Sequence, residues 1–278
     1  MANKQHDIIS VIMAAYNSSA YIEEAIRSVL AQDYEHWELL IVNDGSTDAT
    51  LELAKSFDDP RIHVLSQENK GVSAARNLAF TKVTGDYICF LDADDVLPPA
   101  SLSSRLAVFK TDPTIGYVDG KVIYADQNLA PTDQEYLPSF TGLPKNQLLQ
   151  LSRKCLFGNT WMIKQQPNVT YHFDTDMTHA EDLFFYLSIC TQSNARYSFT
   201  DQPVLFYRNN PKSAMTNLKG LGNGYALLIK KIKENGWATS GQLFLLKAKV
   251  SKIMFLSHLI DGRSLKNALK SLVRYFWL

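Results

Sequence analysis

The sequence predicts an α/β fold in which a mainly parallel sheet is flanked by helices and followed by a C-terminal helical extension. Four strand-like segments alternate with four helical segments over about the first 100 residues, an order typical of parallel sheets with right-handed crossovers. Polar loops at Tyr16, Asp44, Lys70 and Asp92 follow the predicted strands. Because the carboxyl ends of parallel strands meet at one edge of a sheet, these loops are expected to converge on one site.

Each of the four units joins an apolar strand to an amphipathic helix. The strands are predicted at residues 7–15, 38–43, 61–66 and 86–91. The helices are predicted at residues 20–32, 49–57, 72–83 and from Pro99 to about 110. In the first helix Ile22, Ile26 and Val29 share one face, as expected of a helix that packs on a sheet.

The second half of the chain has a less regular pattern. Further elements are predicted as a strand or hairpin at 115–126, strands at 158–164 and 204–208, and a helix at 183–190. Segment 127–146 contains three prolines and little periodicity, which predicts a loop that flanks the site. Glu181 and Asp182 precede the helix at 183–190, where acidic side chains also interact favourably with the helix dipole.

The charge distribution divides the chain in two. Residues 1–218 carry 17 Lys and Arg against 26 Asp and Glu, a net charge of −9, whereas residues 219–278 carry 11 against 2, a net charge of +9. We therefore predict one unit at 1–218 and a basic helical extension at 219–278, with a hinge at 219–224. No secretory signal or membrane-spanning segment is expected, which predicts a cytoplasmic protein.

The basic extension is predicted to form amphipathic helices at 223–235, 240–260 and 263–277. The last one carries a single apolar stripe, formed by Leu265, Leu269, Leu272, Val273 and Phe276. Such a stripe either packs on the protein's own core or docks on an anionic membrane surface. Both interpretations stay open, and the second predicts a peripheral protein at the inner face of a membrane.

Three carboxylates follow the strand at 86–91, namely Asp92, Asp94 and Asp95. Taken alone, they are explained by a polar turn that ends a strand. At the ligand edge of a parallel sheet, however, such oxygens suit Mg²⁺ or Mn²⁺, which in turn bind phosphate oxygens. The sequence has neither the glycine-rich dinucleotide fingerprint nor a P-loop, so we expect a nucleotide site of another kind.

Six motifs in order make residues 7–215 resemble the family-2 glycosyltransferases with the GT-A fold. The motifs lie at residues 11–17, 38–48, 69–77, 92–95, 180–182 and 207–213. The resemblance implies an inverting enzyme that moves a sugar from a nucleoside-diphosphate sugar, expected to be a UDP-sugar. The implied acceptor is a hydroxyl of a glycan or a lipid-linked saccharide, and no nucleic-acid partner is expected.

The resemblance also implies roles for individual residues. Those implied to bind the donor's nucleotide or phosphates are Ala14, Tyr16, Asp44, Arg76, Asp92 and Arg208. Asp94 is implied to ligate the metal and Asp182 to act as general base, with Glu181 and Trp161 as contacts of the sugar substrate. Where many members have a histidine after the late arginine, this chain has Asn210, which weakens the expected third metal contact.

Two other functions compete with this interpretation. The strand followed by 92–96 also fits the motif of haloacid-dehalogenase-type phosphatases, in which Asp92 would be a nucleophile. The phosphatase interpretation gives no role to Tyr16, Asp44 or Arg76. A non-catalytic GT-A domain that only binds nucleotide is the second alternative, and the presence of Asp94 and Asp182 argues against it.

Overall fold

The structure is a computed structural model that describes residues 6–209, 217–260 and 262–277. The strands are β1 (Ile9–Ala15), β2 (Trp37–Asp44), β3 (Ile62–Gln67), β4 (Tyr87–Phe90), β5 (Ile115–Ala125), β6 (Pro131–Tyr136), β7 (Met162–Lys164) and β8 (Arg196–Arg208). The helices are α1 (Ile22–Leu30), α2 (Thr50–Lys55), α3 (Val72–Phe80), α4 (Ser101–Phe109), α5 (Lys145–Leu149), α6 (Glu181–Thr191), α7 (Leu218–Glu234), α8 (Ser240–Ile260) and α9 (Leu265–Arg274).

The eight strands form one sheet, in the order β3-β2-β1-β4-β7-β5-β6, with β8 paired to β5. Strands β1 to β4 pair in parallel, and so do β5 and β8. Strand β7 lies between β4 and β5 and is antiparallel to both, so it joins the parallel half of the sheet to the second half. The predicted α/β class, with a mainly parallel sheet and flanking helices, is confirmed.

Helices cover both faces of the sheet. One face packs against α1, α2 and α4 through buried side chains such as Ile26, Ala54 and Leu106. The other face packs against α3 and α6 and also against the C-terminal helices, because Ile229 and Val250 belong to the same core cluster as Phe185. Burial on both faces explains the continuous apolar runs of β1, β2 and β4.

Three sequence predictions are wrong in the second half of the chain. Segment 127–146 is not a plain loop, because it contains β6, which pairs with β5, and ends in the first turn of helix α5. Strand β8 runs over 13 residues rather than over 204–208 alone. The expected hinge at 219–224 lies inside α7, where Gly222 and Gly224 are buried against neighbouring side chains and backbone.

Across the described residues, no helix combines the length and the apolarity that crossing a bilayer requires.

Candidate active site

A cavity of about 1350 Å³ opens at the carboxyl ends of the parallel strands. It brings together eight of the predicted site residues: Ala14, Tyr16, Arg76, Asp92, Asp94, Glu181, Asp182 and Arg208. They come from β1, α3, the loop after β4, the start of α6 and the end of β8. The convergence expected from the strand order is therefore present, and it joins residues up to 194 positions apart.

The loops after β1 and β2 support one wall of the cavity. The side chain of Tyr16 is half exposed. The next residue, Asn17, has a φ of 49°, and its Oδ1 accepts from the backbone N–H of Thr47 at 2.8 Å. This contact ties the two loops together beside Tyr16, which lines the cavity.

Asp44 lies behind this wall and not among the residues that line it. Its buried carboxylate accepts from Gln67 Nε2 at 2.7 Å and from the backbone N–H groups of Lys70 and Gly71 at 2.8 Å each. These bonds order the loop that enters α3, where Gly71 adopts a φ of 87°. The structure thus places Asp44 as a support of that loop, and its contact with a nucleotide base stays a prediction.

The three carboxylates after β4 have different surroundings. Asp94 is partly exposed and lines the cavity, and Asp92 is about half exposed. Asp95 is buried, and its Oδ1 accepts from the backbone N–H of Arg208 at 2.8 Å. Burial, together with the nearby charges of Asp92 and Asp94, raises the pKa of Asp95 well above its usual value. Asp95 therefore links the loop after β4 to the end of β8 by a hydrogen bond, whereas Asp94 lines the cavity.

Arg76 is a buried cation between the two acidic groups of the cavity. Its Nη2 lies 2.9 Å from Asp92 Oδ1, and its Nη1 lies 3.6 Å from Glu181 Oε1. With its amide oxygen turned toward the guanidinium, Asn159 accepts from both Nη atoms, at 3.0 and 2.6 Å. The guanidinium also lies over the ring of Phe173, 5.0 Å from its centroid. The positive charge of Arg76 offsets the negative charges of Asp92 and Glu181, which would otherwise be unfavourable in a partly buried site.

Glu181 and Asp182 begin α6 and line the same cavity. Ala180 precedes them with a φ of 58°, a left-handed conformation that turns the chain sharply into the helix. The Oδ1 of Asp182 accepts from the backbone N–H of Leu183 at 2.7 Å. Burial raises the pKa of both carboxyls, and the positive charge of Arg76 opposes that rise. A carboxylate with a raised pKa is a stronger base than an exposed aspartate.

Arg208 is buried, and protein groups engage its whole guanidinium. Its Nε donates to the Asp94 carbonyl at 2.7 Å, its Nη1 donates to the Gln127 carbonyl, and its Nη2 lies 2.5 Å from Glu24 Oε2. The group also lies 4.7 Å from the ring centroid of Tyr21. These contacts hold the backbone of the loop that carries Asp94. A contact of Arg208 with phosphate stays a prediction.

The prediction that Trp161 contacts substrate is wrong. Its side chain is fully buried, its Nε1 donates to the Cys155 carbonyl at 2.9 Å, and its ring stacks on Tyr186 at 4.3 Å. The four residues that precede Trp161, by contrast, line the cavity: Phe157, Gly158, Asn159 and Thr160. Sequence reasoning missed Asn159 because a single amide carries no periodic signal and only the fold places it on Arg76.

The carboxylates at this edge fit a divalent cation that a substrate helps to hold. Among the described residues, no group of three or more His, Cys, Asp or Glu side chains is arranged to hold a metal by itself. Mg²⁺ usually binds through one or two carboxylates together with substrate phosphates. Asp94, with Asp92 beside it, matches that pattern. Asn210, where a third contact was in doubt, lies outside the described residues.

Comparison with known sequences identifies the family of the chain. The family model described as Glycosyl transferase family 2 matches residues 10–170. A putative teichuronic acid biosynthesis glycosyltransferase, TuaG of Bacillus subtilis, is 42% identical over 102 residues, 36% of this chain and 40% of that protein. The Escherichia coli protein WfgD, a UDP-Glc:alpha-D-GlcNAc-diphosphoundecaprenol beta-1,3-glucosyltransferase, is 30% identical over 67% of this chain and 71% of its own length.

Solved structures share the fold. S. aureus TarS 1-349, in complex with UDP-GlcNAc, superposes with a TM-score of 0.69 at 20% identity, over 96% of this chain and 78% of that one. The mannosyltransferase PcManGT from Pyrobaculum calidifontis, in complex with GDP-Man and Mn²⁺, superposes with a TM-score of 0.61 at 19% identity, over 97% and 75%. At these identities the likeness concerns the fold, and the predicted GT-A architecture is confirmed. Since the family model matches more than half of the chain, this protein belongs to glycosyl transferase family 2.

Proposed function

We propose that this protein is an inverting glycosyltransferase that moves a sugar from a nucleoside-diphosphate sugar to an acceptor hydroxyl. The observation that carries the proposal is that two acidic groups line one cavity and share a single buried cation. Asp92 and Asp94 form one group, Glu181 and Asp182 form the other, and Arg76 contacts both. The proposed reaction needs one acidic group that holds a cation against the diphosphate leaving group and another that accepts the proton of the attacking hydroxyl.

Asp182 is the general base of the proposed reaction. The acceptor oxygen attacks the anomeric carbon, the bond from that carbon to the diphosphate breaks, and the hydroxyl proton passes to Asp182. Attack from the side opposite the leaving group inverts the anomeric centre. Glu181 contacts sugar hydroxyls, and Arg76 keeps the acidic pair ionisable. A positioned base of this kind contributes about 10²–10⁴-fold to the rate.

The donor end is assigned to Asp94, Asp92 and Tyr16. Tyr16 stacks on the nucleotide base, and Asp92 contacts the ribose. Bound Mg²⁺ or Mn²⁺ would offset the negative charge of the departing diphosphate, with Asp94 as its protein ligand. Support comes from TarS, whose structure holds UDP-GlcNAc, and from PcManGT, whose structure holds Mn²⁺.

The acceptor is assigned to the class of glycans and lipid-linked saccharides. WfgD, the relative matched over 71% of its length, is named for a diphosphoundecaprenol-linked acceptor. We place the protein in the cytoplasm at the inner face of a membrane, where lipid-linked acceptors are exposed. In this assignment residues 1–218 form the catalytic unit and residues 219–278 the basic extension. No observation favours the phosphatase or the non-catalytic alternative.

A panel of nucleotide sugars tests the proposed reaction. The wild-type chain is incubated with UDP-sugars, Mn²⁺ and saccharide acceptors, and both release of UDP and sugar transfer are measured. We expect Asp182→Asn to lose transfer by at least about 10²-fold and to bind UDP as the wild type does. Asp58→Asn is the matched control, because Asp58 is exposed and outside the cavity. Loss of UDP binding together with transfer would assign Asp182 a structural role.

A further inference from the structure

Helix α9 packs on the protein through its small residues and turns its large apolar residues outward. Its buried positions are Ala268 and Ser271, followed by Tyr275, whose hydroxyl donates to the Gly222 carbonyl at 3.3 Å. Its exposed apolar side chains are Leu265 (60% exposed), Leu269 (53%), Leu272 (41%) and Val273 (59%), and Phe276 (41%) in the turn after the helix continues the stripe. A helix that serves only the core has the opposite arrangement.

Helix α8 extends this apolar surface. Its exposed large side chains are Phe244, Leu245, Leu256, Leu259 and Ile260. The rings of Phe244 and Phe276 lie 5.7 Å apart, so the exposed apolar side chains of α8 meet those of α9 and its following turn there. We call these ten exposed side chains of α8, of α9 and of the turn that follows α9 the hairpin face. Clusters of exposed apolar side chains of this kind usually mark an interaction site.

Basic side chains accompany the hairpin face. Lys266, Lys270 and Arg274 are exposed and recur every fourth residue beside the stripe of α9. Lys249 and Lys252 are exposed on α8. Only two acidic residues occur in 219–278, so this part of the chain has a net charge of +9. An apolar stripe edged by basic residues is the pattern of helices that lie in the interface of an anionic membrane.

We propose that the hairpin face docks on the surface of an anionic lipid bilayer, with α8 and α9 lying along the headgroups. Charge complementarity selects this occupant. A second copy placed face to face would bring two rows of lysines together, whereas anionic headgroups neutralise them. Residues 1–218 carry a net charge of −9 and are repelled by the same headgroups, which orients the extension toward the bilayer. The proposal adds an attachment surface to the proposed function and does not depend on catalysis.

Vesicle co-sedimentation of the full chain, without donor or acceptor, tests the proposal. Vesicles of phosphatidylcholine alone are compared with vesicles that also contain phosphatidylglycerol. We expect binding to the anionic vesicles, reduced on the order of tenfold for each of Leu269→Ser and Val273→Ser. Lys266→Gln and Lys270→Gln should each weaken binding to anionic vesicles about fivefold, and should leave weak binding to neutral vesicles unchanged.

Matched controls lie outside the hairpin face. Leu143→Ser removes a leucine that is 57% exposed, and Lys230→Gln removes a lysine whose side chain is 62% exposed. Both should bind as the wild type does, and all variants should melt at the wild-type temperature because the changed side chains are exposed. Absence of wild-type binding to anionic vesicles overturns the proposal. The proposal is also overturned if sedimentation velocity shows a wild-type dimer that Leu269→Ser dissociates, because the hairpin face would then bind a second copy of the chain.

Discussion

The Nη2 of Arg76 lies 2.9 Å from Oδ1 of Asp92, so helix α3 is joined to the loop after β4 inside the cavity. The same guanidinium lies 3.6 Å from Glu181 at the start of α6. One buried cation therefore adjusts the electrostatics of both acidic groups. The ionisation of the proposed base, Asp182, depends on a residue that does not itself take the proton.

Replacing Arg76 should alter both stability and the pH dependence of activity. Arg76→Met removes the cation beside the mostly buried Glu181, while Asp92 is half exposed, so we expect a loss of about 3 kcal/mol of unfolding free energy. Arg76 lowers the pKa values of Glu181 and Asp182, so its loss raises them further. Because the base acts in its ionised form, the acidic limb of kcat/KM should move to higher pH.

Urea denaturation and pH–rate profiles measure these two effects. Arg76→Lys keeps the charge and should return the acidic limb toward its wild-type position. Arg61→Met is the control, because Arg61 forms a partly exposed pair with Asp59 at 2.7 Å and such pairs contribute about 0–1 kcal/mol. An unchanged acidic limb in Arg76→Met would contradict the role assigned to this cation.

Asp94 and Asp95 should respond differently to the same substitution. Asp94→Asn removes a carboxylate that lines the cavity, and we expect the Mn²⁺ concentration for half-maximal UDP binding to rise at least about tenfold. Asp95→Asn should leave that concentration unchanged, because Asp95 is engaged with the backbone of Arg208. Calorimetric titration of UDP at several Mn²⁺ concentrations measures both. Equal effects of the two substitutions would exclude Asp94 as the specific ligand.

Asp95 should also make the metal-free protein less stable as the pH rises. The folded pKa of Asp95 lies well above its unfolded value, so between these two values the folded state binds more protons than the unfolded state. The stabilising contribution of the protonated form is present below the unfolded pKa of about 3.9 and is lost as the pH rises through the folded pKa. Asparagine does not titrate, so the Asp95→Asn variant does not lose stability in this way. The unfolding free energy of Asp95→Asn minus that of the wild type should therefore increase with pH. Denaturation in EDTA across this pH range measures the difference, and a constant difference would contradict it.

Gly224 in α7 should tolerate no side chain. A Cβ there would lie 2.6 Å from the carbonyl oxygen of His179 and 2.9 Å from its carbonyl carbon. Backbone must then shift, at a cost of about 1–3 kcal/mol, or several degrees in Tm. His179 lies two residues before Glu181, so Gly224→Ala should also lower kcat.

The matched control is Gly241→Ala in α8, where a Cβ meets no atom within 4 Å. Alanine is the better helix former by about 1 kcal/mol, so this variant should melt at or slightly above the wild-type temperature. Thermal melts and initial rates are compared for both variants. A wild-type Tm for Gly224→Ala would contradict the prediction, because it would show that α7 and the backbone of His179 can move apart at no cost in stability.

The first half of the fold follows from local pattern, and the second half does not. Strands β1, β2 and β4 are apolar runs, and β3 begins with alternating apolar and polar residues, so period and length identify all four. Strand β6 reads Pro-Thr-Asp-Gln-Glu-Tyr and has almost no apolar residue. It is a strand because β5 offers it backbone hydrogen bonds. Pairing of that kind depends on a partner distant in space, which local propensity does not encode.

The sequence by itself determined the edge of the sheet at which the cavity opens, because strand order and parallel crossovers bring Tyr16 and Asp94 to the same side. It also determined that α9 has one apolar stripe. Only the tertiary structure decided what these groups touch. In the folded protein Trp161 is buried, Arg76 lies between two acidic groups, and the apolar stripe of α9 is exposed. Periodicity defines the faces of an element, and packing alone decides which face is covered.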